Sequence, residues 1–154
     1  MTSARFDFYG FRVQVTGENA DVIREITRDF EWFVKPTSES PNMLVTVHFD
    51  PPPYDRLPSI PASVLTPRNI SFRSGDVSYV DYFGRGLAIV NERGGTCDIY
   101  ATDFDLAREI GYLFLLSTVG QYLDLIGMHR IHAQGANYKG HGVLLLLPSG
   151  GGKS

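Results

Sequence analysis

The chain has 154 residues, of which 43% are hydrophobic, 12% aromatic and 20% charged; these amounts exclude intrinsic disorder, a collagen-like fibre and a disulfide scaffold. Fourteen Lys and Arg against seventeen Asp and Glu leave a formal charge of −3, without the basic excess of a nucleic-acid-binding domain. The one cysteine, Cys97, rules out an internal disulfide and suits a reducing cytoplasm. It reads as a small strand residue.

The opening MTSARFDFYG has no apolar stretch of the kind that directs export, so a cytoplasmic protein is expected. From Phe6 to Val15 apolar and polar residues alternate, which predicts two short strands bent at Gly10. Asn19 caps a helix near 20–34, where Ile23, Ile26, Phe30 and Phe33 recur at helical spacing, Asp21 sits at the positive end, and Pro36 stops the run. Met43–Phe49 reads as a third strand. Six of the nine prolines then fall between Pro51 and Pro67, the composition of an extended connector or lid.

Two hairpins are expected next, over 69–83 with a turn at Ser74-Gly75-Asp76, and over 87–100 with a turn near Arg93-Gly94-Gly95. The Gly84-Arg85-Gly86 and Gly94-Gly95 groups lack the strand, third glycine and helix of a dinucleotide site and read as hairpin turns. Thr102 with Asp105 forms a capping box for a long helix ending at Gly127, with a buried face of Leu106, Ile110, Leu113, Leu116 and Leu123. Its apolar window, Ile110–Met128, contains Gln121 and Asp124 and is broken by Ser117, Thr118 and Gly120, so it reads as a buried helix and not as a membrane span. His129–Tyr138 follows as a strand bent at Gly135, then a turn at Lys139-Gly140-His141-Gly142. Val143–Leu147 is a wholly apolar run of the kind buried on both faces in an α/β sheet.

The fold expected is α+β: a mainly antiparallel sheet with two helices in an N-terminal region, 1–101. The long helix and the opening strands of an α/β nucleotide-binding domain would occupy 102–154. That second region holds the chemistry. In GVLLLLPSGGGKS, Gly142–Ser154, an apolar strand runs straight into a glycine-rich loop ending in Lys-Ser. Glycines let successive N–H groups cradle phosphate oxygens, a lysine supplies charge at the terminal phosphates, and the last hydroxyl ligates magnesium. Gly150, Gly151 and Gly152 are the cradle, Lys153 the cation and Ser154 the metal hydroxyl. Leu147 stands where the general pattern has its leading glycine. Read alone, GGGKS is also the composition of a flexible tail, but four leucines before it favour a phosphate loop at the end of a buried strand.

From His129 to Ser154 the chain resembles the HPr kinase/phosphorylase-like family, kinases related in fold to phosphoenolpyruvate carboxykinases. The resemblance rests on IHAQGANYKGHGVLLLLPSGGGKS, in which His132 opens the segment and Ser149, Gly150, Gly152, Lys153 and Ser154 fall on the family's loop pattern. It implies binding of ATP with Mg and transfer of phosphate to a protein serine or a small-molecule hydroxyl. It also places His132 beside the phosphates, where an imidazole assists proton transfer or holds a phosphate. The same residue also reads as a satisfied structural histidine. His129 and His132 form His-x-x-His, but no further ligand stands at zinc spacing, and His141 reads as solvated.

A phosphate loop works with the helix that begins at its Lys-Ser pair. With Ser154 as the last residue the chain is expected to be the amino-terminal part of a longer kinase and inactive alone. The other reading is a non-enzymatic scaffold whose hairpins and proline-rich segment contact a protein partner.

Overall fold

The computed structural model describes residues 1–36, 39–131 and 133–146. The chain divides into two compact units, Met1–Val119 and Gly120–Ser154. The first is built on an eight-stranded sheet. Its strands are β1 (Thr2–Phe8), β2 (Phe11–Gly17), β3 (Met43–His48), β4 (Ala62–Leu65), β5 (Ile70–Ser74), β6 (Val77–Asp81), β7 (Gly86–Asn91) and β8 (Thr96–Ala101), in the order β1-β2-β3-β8-β7-β6-β5-β4. The helices are α1 (Ala20–Asp29) and α2 (Phe104–Leu125). The fold is therefore α+β with a mostly antiparallel sheet and two helices.

Two pairings depart from the antiparallel rule, since β3 runs parallel to both β2 and β8. The reason is connectivity. A helix between two neighbouring strands returns the chain to its starting end, so β2-α1-β3 yields a parallel pair. From β5 to β8 short turns produce an antiparallel meander.

Alternation sets which face is buried. Phe6, Phe8, Val13, Val15, Met43, Val45, Val47, Cys97 and Ile99 are buried, and their chain neighbours are half-buried or exposed. Asn19 caps α1 as its residue type predicts, its side-chain oxygen accepting from the N–H groups of Asp21 and Val22. Pro36 does not end that helix. Phe30, at φ −125°, leaves the helical conformation, and a 3-10 turn at Glu31–Phe33 follows. The departure puts Phe30 edge-on to Phe6 and Phe8, with ring centroids 6.2 and 5.7 Å apart, and brings Phe33 against Phe8 in a tilted contact at 4.7 Å.

The cap of α2 is Asp103, whose carboxylate accepts from Leu106 N–H at 2.7 Å, and not the expected box of Thr102 and Asp105. Its buried face also differs from the one read off the leucines. Leu106 and Ile110 are buried as expected, but Leu113, Leu116 and Leu123 are only half-buried, and Ala107, Gly111, Leu115 and Val119 form the inner stripe. Small residues decide this. A Cβ on Gly111 would lie 2.6 Å from Ile26 Cδ1 of α1, and one on Gly86 would lie 2.9 Å from Ile110 Cδ1, so the faces bearing least bulk approach closest. Arg108 ties the helices together through an ion pair with Asp29 at 2.9 Å.

The proline-rich passage contains more structure than a connector, with a 3-10 turn at Tyr54–Arg56 and the edge strand β4. Leu57, Pro58 and Ile60 meet Phe72 and Tyr79 around a cavity of about 40 Å³ on the sheet face turned away from the helices.

In the second unit α2 ends as expected at Gly127, with Gly127 N–H donating to Asp124 C=O and Met128 N–H to Leu123 C=O. A two-stranded sheet follows, β9 (Gln134–Tyr138) with β10 (His141–Leu145). The expected bend at Gly135 is absent. Gly135 pairs with Leu144 inside the ladder, and the reversal falls at Lys139 and Gly140, with φ of 52° and 83°. His141 and Gly142 belong to β10, not to the turn.

Leu115→Ala is expected to cost about 2–5 kcal/mol, and Leu113→Ala distinctly less, because only the first empties a closed site; guanidinium unfolding of both variants measures the difference. Gly95 has φ +62°, and a Cβ there would stand 2.5 Å from the backbone oxygen of Asn42. Gly95→Ala should therefore destabilise by at least about 1 kcal/mol, read in the same experiment.

Candidate functional site

The residues the sequence nominates for phosphate chemistry, His132, Ser149, Gly150, Gly151, Gly152, Lys153 and Ser154, lie outside the described residues. What the structure provides is the hairpin that leads to them. The role expected of His132 requires a strand from Ile131 to neighbour the strand from Val143; the described strand begins at Gln134, which pairs with Leu145, and Tyr138 pairs with His141. Asn137 braces the turn by accepting from Gly140 N–H at 3.1 Å, and the Lys139 ammonium lies 5.2 Å from the Tyr138 ring centre.

The apolar run is not buried as expected. Val143, Leu144, Leu145 and Leu146 are exposed, Leu144 to 61%, and among the described residues β10 pairs with β9 alone. An isolated pair of strands has no second layer to cover either face. Just before the hairpin, His129 Nδ1 lies 3.1 Å from Asp124 Oδ1, and the Arg130 side chain crosses the space a Cβ on Gly120 would need.

A second polar constellation, not anticipated from sequence, lies on the sheet face opposite the helices. In the parallel β3–β8 ladder His48 is level with Tyr100 and Thr46 with Asp98. The imidazole stacks on the Tyr100 ring at 4.4 Å and 10°, and its Nε2 lies 2.9 Å from Asp98 Oδ1. Burial chiefly, then the charge of Asp98, raises the Tyr100 phenol above its ordinary range. Further along the same face the Tyr54 hydroxyl donates to Asp81 at 2.6 Å, and burial followed by that bond raises Tyr54 strongly. The first group orients an imidazole against a carboxylate. The second pins the proline-rich passage to β6. Strand alternation places His48, Asp98, Tyr100 and Asp81 on the outer face, but only the parallel register of two distant segments brings His48 to Asp98, and local pattern carries no register information.

Among the described residues no group of three or more His, Cys, Asp and Glu is placed to hold a metal ion, and no helix is long and apolar enough to cross a membrane. Compared with family models, curated proteins and solved structures, the chain matches none.

A phenol whose pKa is raised on folding contributes stability that is full below its unfolded value, near 10, and lost as pH rises beyond it. Tyr54, Tyr82, Tyr100 and Cys97 are all shifted upward, in each case first by burial. The melting temperature should therefore fall above pH about 9, where Cys97 begins to contribute, and more steeply above about 10. Tyr54→Phe should melt lower at neutral pH, because Asp81 loses a donor, but decline less between pH about 9 and about 11; a pH series of thermal melts tests both.

Proposed function

We propose that the chain carries the opening strands and phosphate-binding loop of an ATP-dependent kinase related to HPr serine kinase, which phosphorylates a protein serine or a small-molecule hydroxyl. The observation that supports it most is β10, whose apolar residues are exposed in a two-stranded hairpin, followed directly in sequence by LLPSGGGKS. Leu144, Leu145 and Leu146 exposed to water are unfavourable, whereas an apolar run inside a larger nucleotide-binding sheet gains burial on both faces and delivers a loop at its carboxyl end. In this reading β9 and β10 are two strands of that sheet, and the chain is part of a longer protein.

The loop residues then divide the work. Backbone N–H groups of Ser149, Gly150, Gly151 and Gly152 face the phosphates, Lys153 neutralises their charge, and the Ser154 hydroxyl ligates magnesium. ATP with Mg supplies the phosphoryl group. His132 holds a phosphate oxygen or relays a proton at the transferring group. Leu147 in place of the pattern's leading glycine leaves the cradle to the three glycines that follow. The location accompanying this function is the cytoplasm.

The gene downstream of the Ser154 codon gives the first test: a helix-forming stretch and then an apolar strand ending in aspartate are expected, and a stop codon contradicts the proposal. In the longer protein, calorimetric titration with Mg-ATP should show binding that Lys153→Ala weakens by at least about tenfold. His132→Ala should lower kcat with little change in ATP affinity or melting temperature. Absence of nucleotide binding by the longer protein removes the reading.

A further inference from the structure

A groove of about 980 Å³ runs between β1 and α1 in the first unit. β1 is the outermost strand on that side of the sheet. Its outer edge is covered over only part of its length: Val34 bridges to Phe6, and Lys35 N–H donates to Arg5 C=O at 3.1 Å. Backbone groups point alternately to the two sides of a strand, so the outward carbonyl of Arg5 means that Ser3 also turns its N–H and C=O outward. Among the described residues nothing pairs with them. Pro36, next along the covering segment, has no N–H to offer.

The groove's lining matches this open edge. Ala4 and Ile23 contribute apolar surface, and four cationic side chains, among them Arg24, Arg28 and Lys35, stand against two carboxylates. Over the lining this is a positive excess on a chain whose formal charge is −3, with Asp7, outside the lining, 3.5 Å from the ammonium of Lys35. Arg24 and Arg28 are paired with Asp21 and Glu25 within α1, but both are largely exposed. Exposed pairs at this spacing are weak and exchange readily for a better-placed carboxylate.

We propose that this groove binds an extended, acidic segment of a partner protein, added as a strand beside Thr2–Ala4 with its carboxylates toward Arg24, Arg28 and Lys35. Backbone pairing gives affinity, and the cations select the charge. A helical partner is excluded from this mode because its own N–H and C=O groups are already paired along its axis. The proposal is independent of the phosphate loop.

The test is fluorescence anisotropy on the full chain with a labelled decapeptide alternating glutamate and valine. Binding should weaken at least about tenfold between about 0.05 and about 0.3 M salt. The lysine-valine counterpart should bind at least about tenfold more weakly. Arg24→Gln with Arg28→Gln should reduce affinity about tenfold, with circular dichroism and melting temperature retained. Ser3→Pro, a change an edge strand tolerates, should abolish binding. Should that variant fail to fold, the glutamate peptide N-methylated at alternate amides probes the same contact on the unaltered chain and should not bind. Equal binding of the lysine peptide, indifference to backbone methylation, or no binding overturns the proposal. So does a dimer dispersed by Ser3→Pro in analytical ultracentrifugation, which assigns the edge to a second copy.

Discussion

The first unit depends on how closely α2 approaches α1 and the sheet. With no side chain at Gly111, Ile26 of α1 reaches the α2 backbone, and with none at Gly86, Ile110 and Leu106 reach β7. Close packing of this kind leaves little room for alternatives, since dispersion falls steeply with separation. Seated there, α2 brings Tyr112 to Phe30, with ring centres 5.6 Å apart. Phe30 in turn packs edge-on to Phe6 and Phe8. One chain of contacts thus joins α2, α1 and the first strand, and it explains why α1 ends before Phe30: an unbroken helix would have carried that ring off on helical spacing.

Covering one sheet face with both helices determines what the other face must be. Of the alternate residues of the central strands that face away from the helices, His48, Asp98, Tyr100 and Tyr79 are half-buried. No polar or charged residue is fully buried among the described residues. The proline-rich passage shields part of this second face with Leu57, Pro58 and Ile60, and the Tyr54–Asp81 hydrogen bond fixes it in place. Proline suits the part before β4, because a segment crossing a sheet face has no ladder to lose when N–H groups are missing.

Local chemistry made much of this legible. Alternation between Phe6 and Val15, the Asn19 cap, the turn at Ser74–Asp76 and the end of α2 at Gly127 depend on neighbours within a few residues, and each was readable. The failures are long-range. The inner face of α2 was read from its large apolar residues, yet Gly111 and Ala107 lie inside because contact with α1 rewards small residues. The parallel placement of β3 between β2 and β8 is a matter of topology, and the His48–Asp98 pair follows from it. For the nominated phosphate site only the approach was testable: the antiparallel pairing of Gln134–Tyr138 with His141–Leu145 is established, while His132 and Ser149–Ser154 lie outside the described residues.

The second unit contrasts with the first in a way composition does not foresee. In the first, the helices cover one face of the central strands, and Val45, Cys97 and Ile99 are fully buried. In β10 three successive apolar residues, Val143, Leu144 and Leu145, lie exposed. Strand alternation cannot rescue them, because a run without polar positions has no face to give to water. Both faces require cover, and a two-stranded hairpin provides none. The stabilisation forgone, at roughly 25 cal/mol for each Å² of apolar surface left in water, is what adjoining strands and a covering helix would recover. In the proposed kinase reading the two features answer one requirement, since a sheet that buried this strand would also be the platform for the glycine-rich Lys-Ser sequence that follows it.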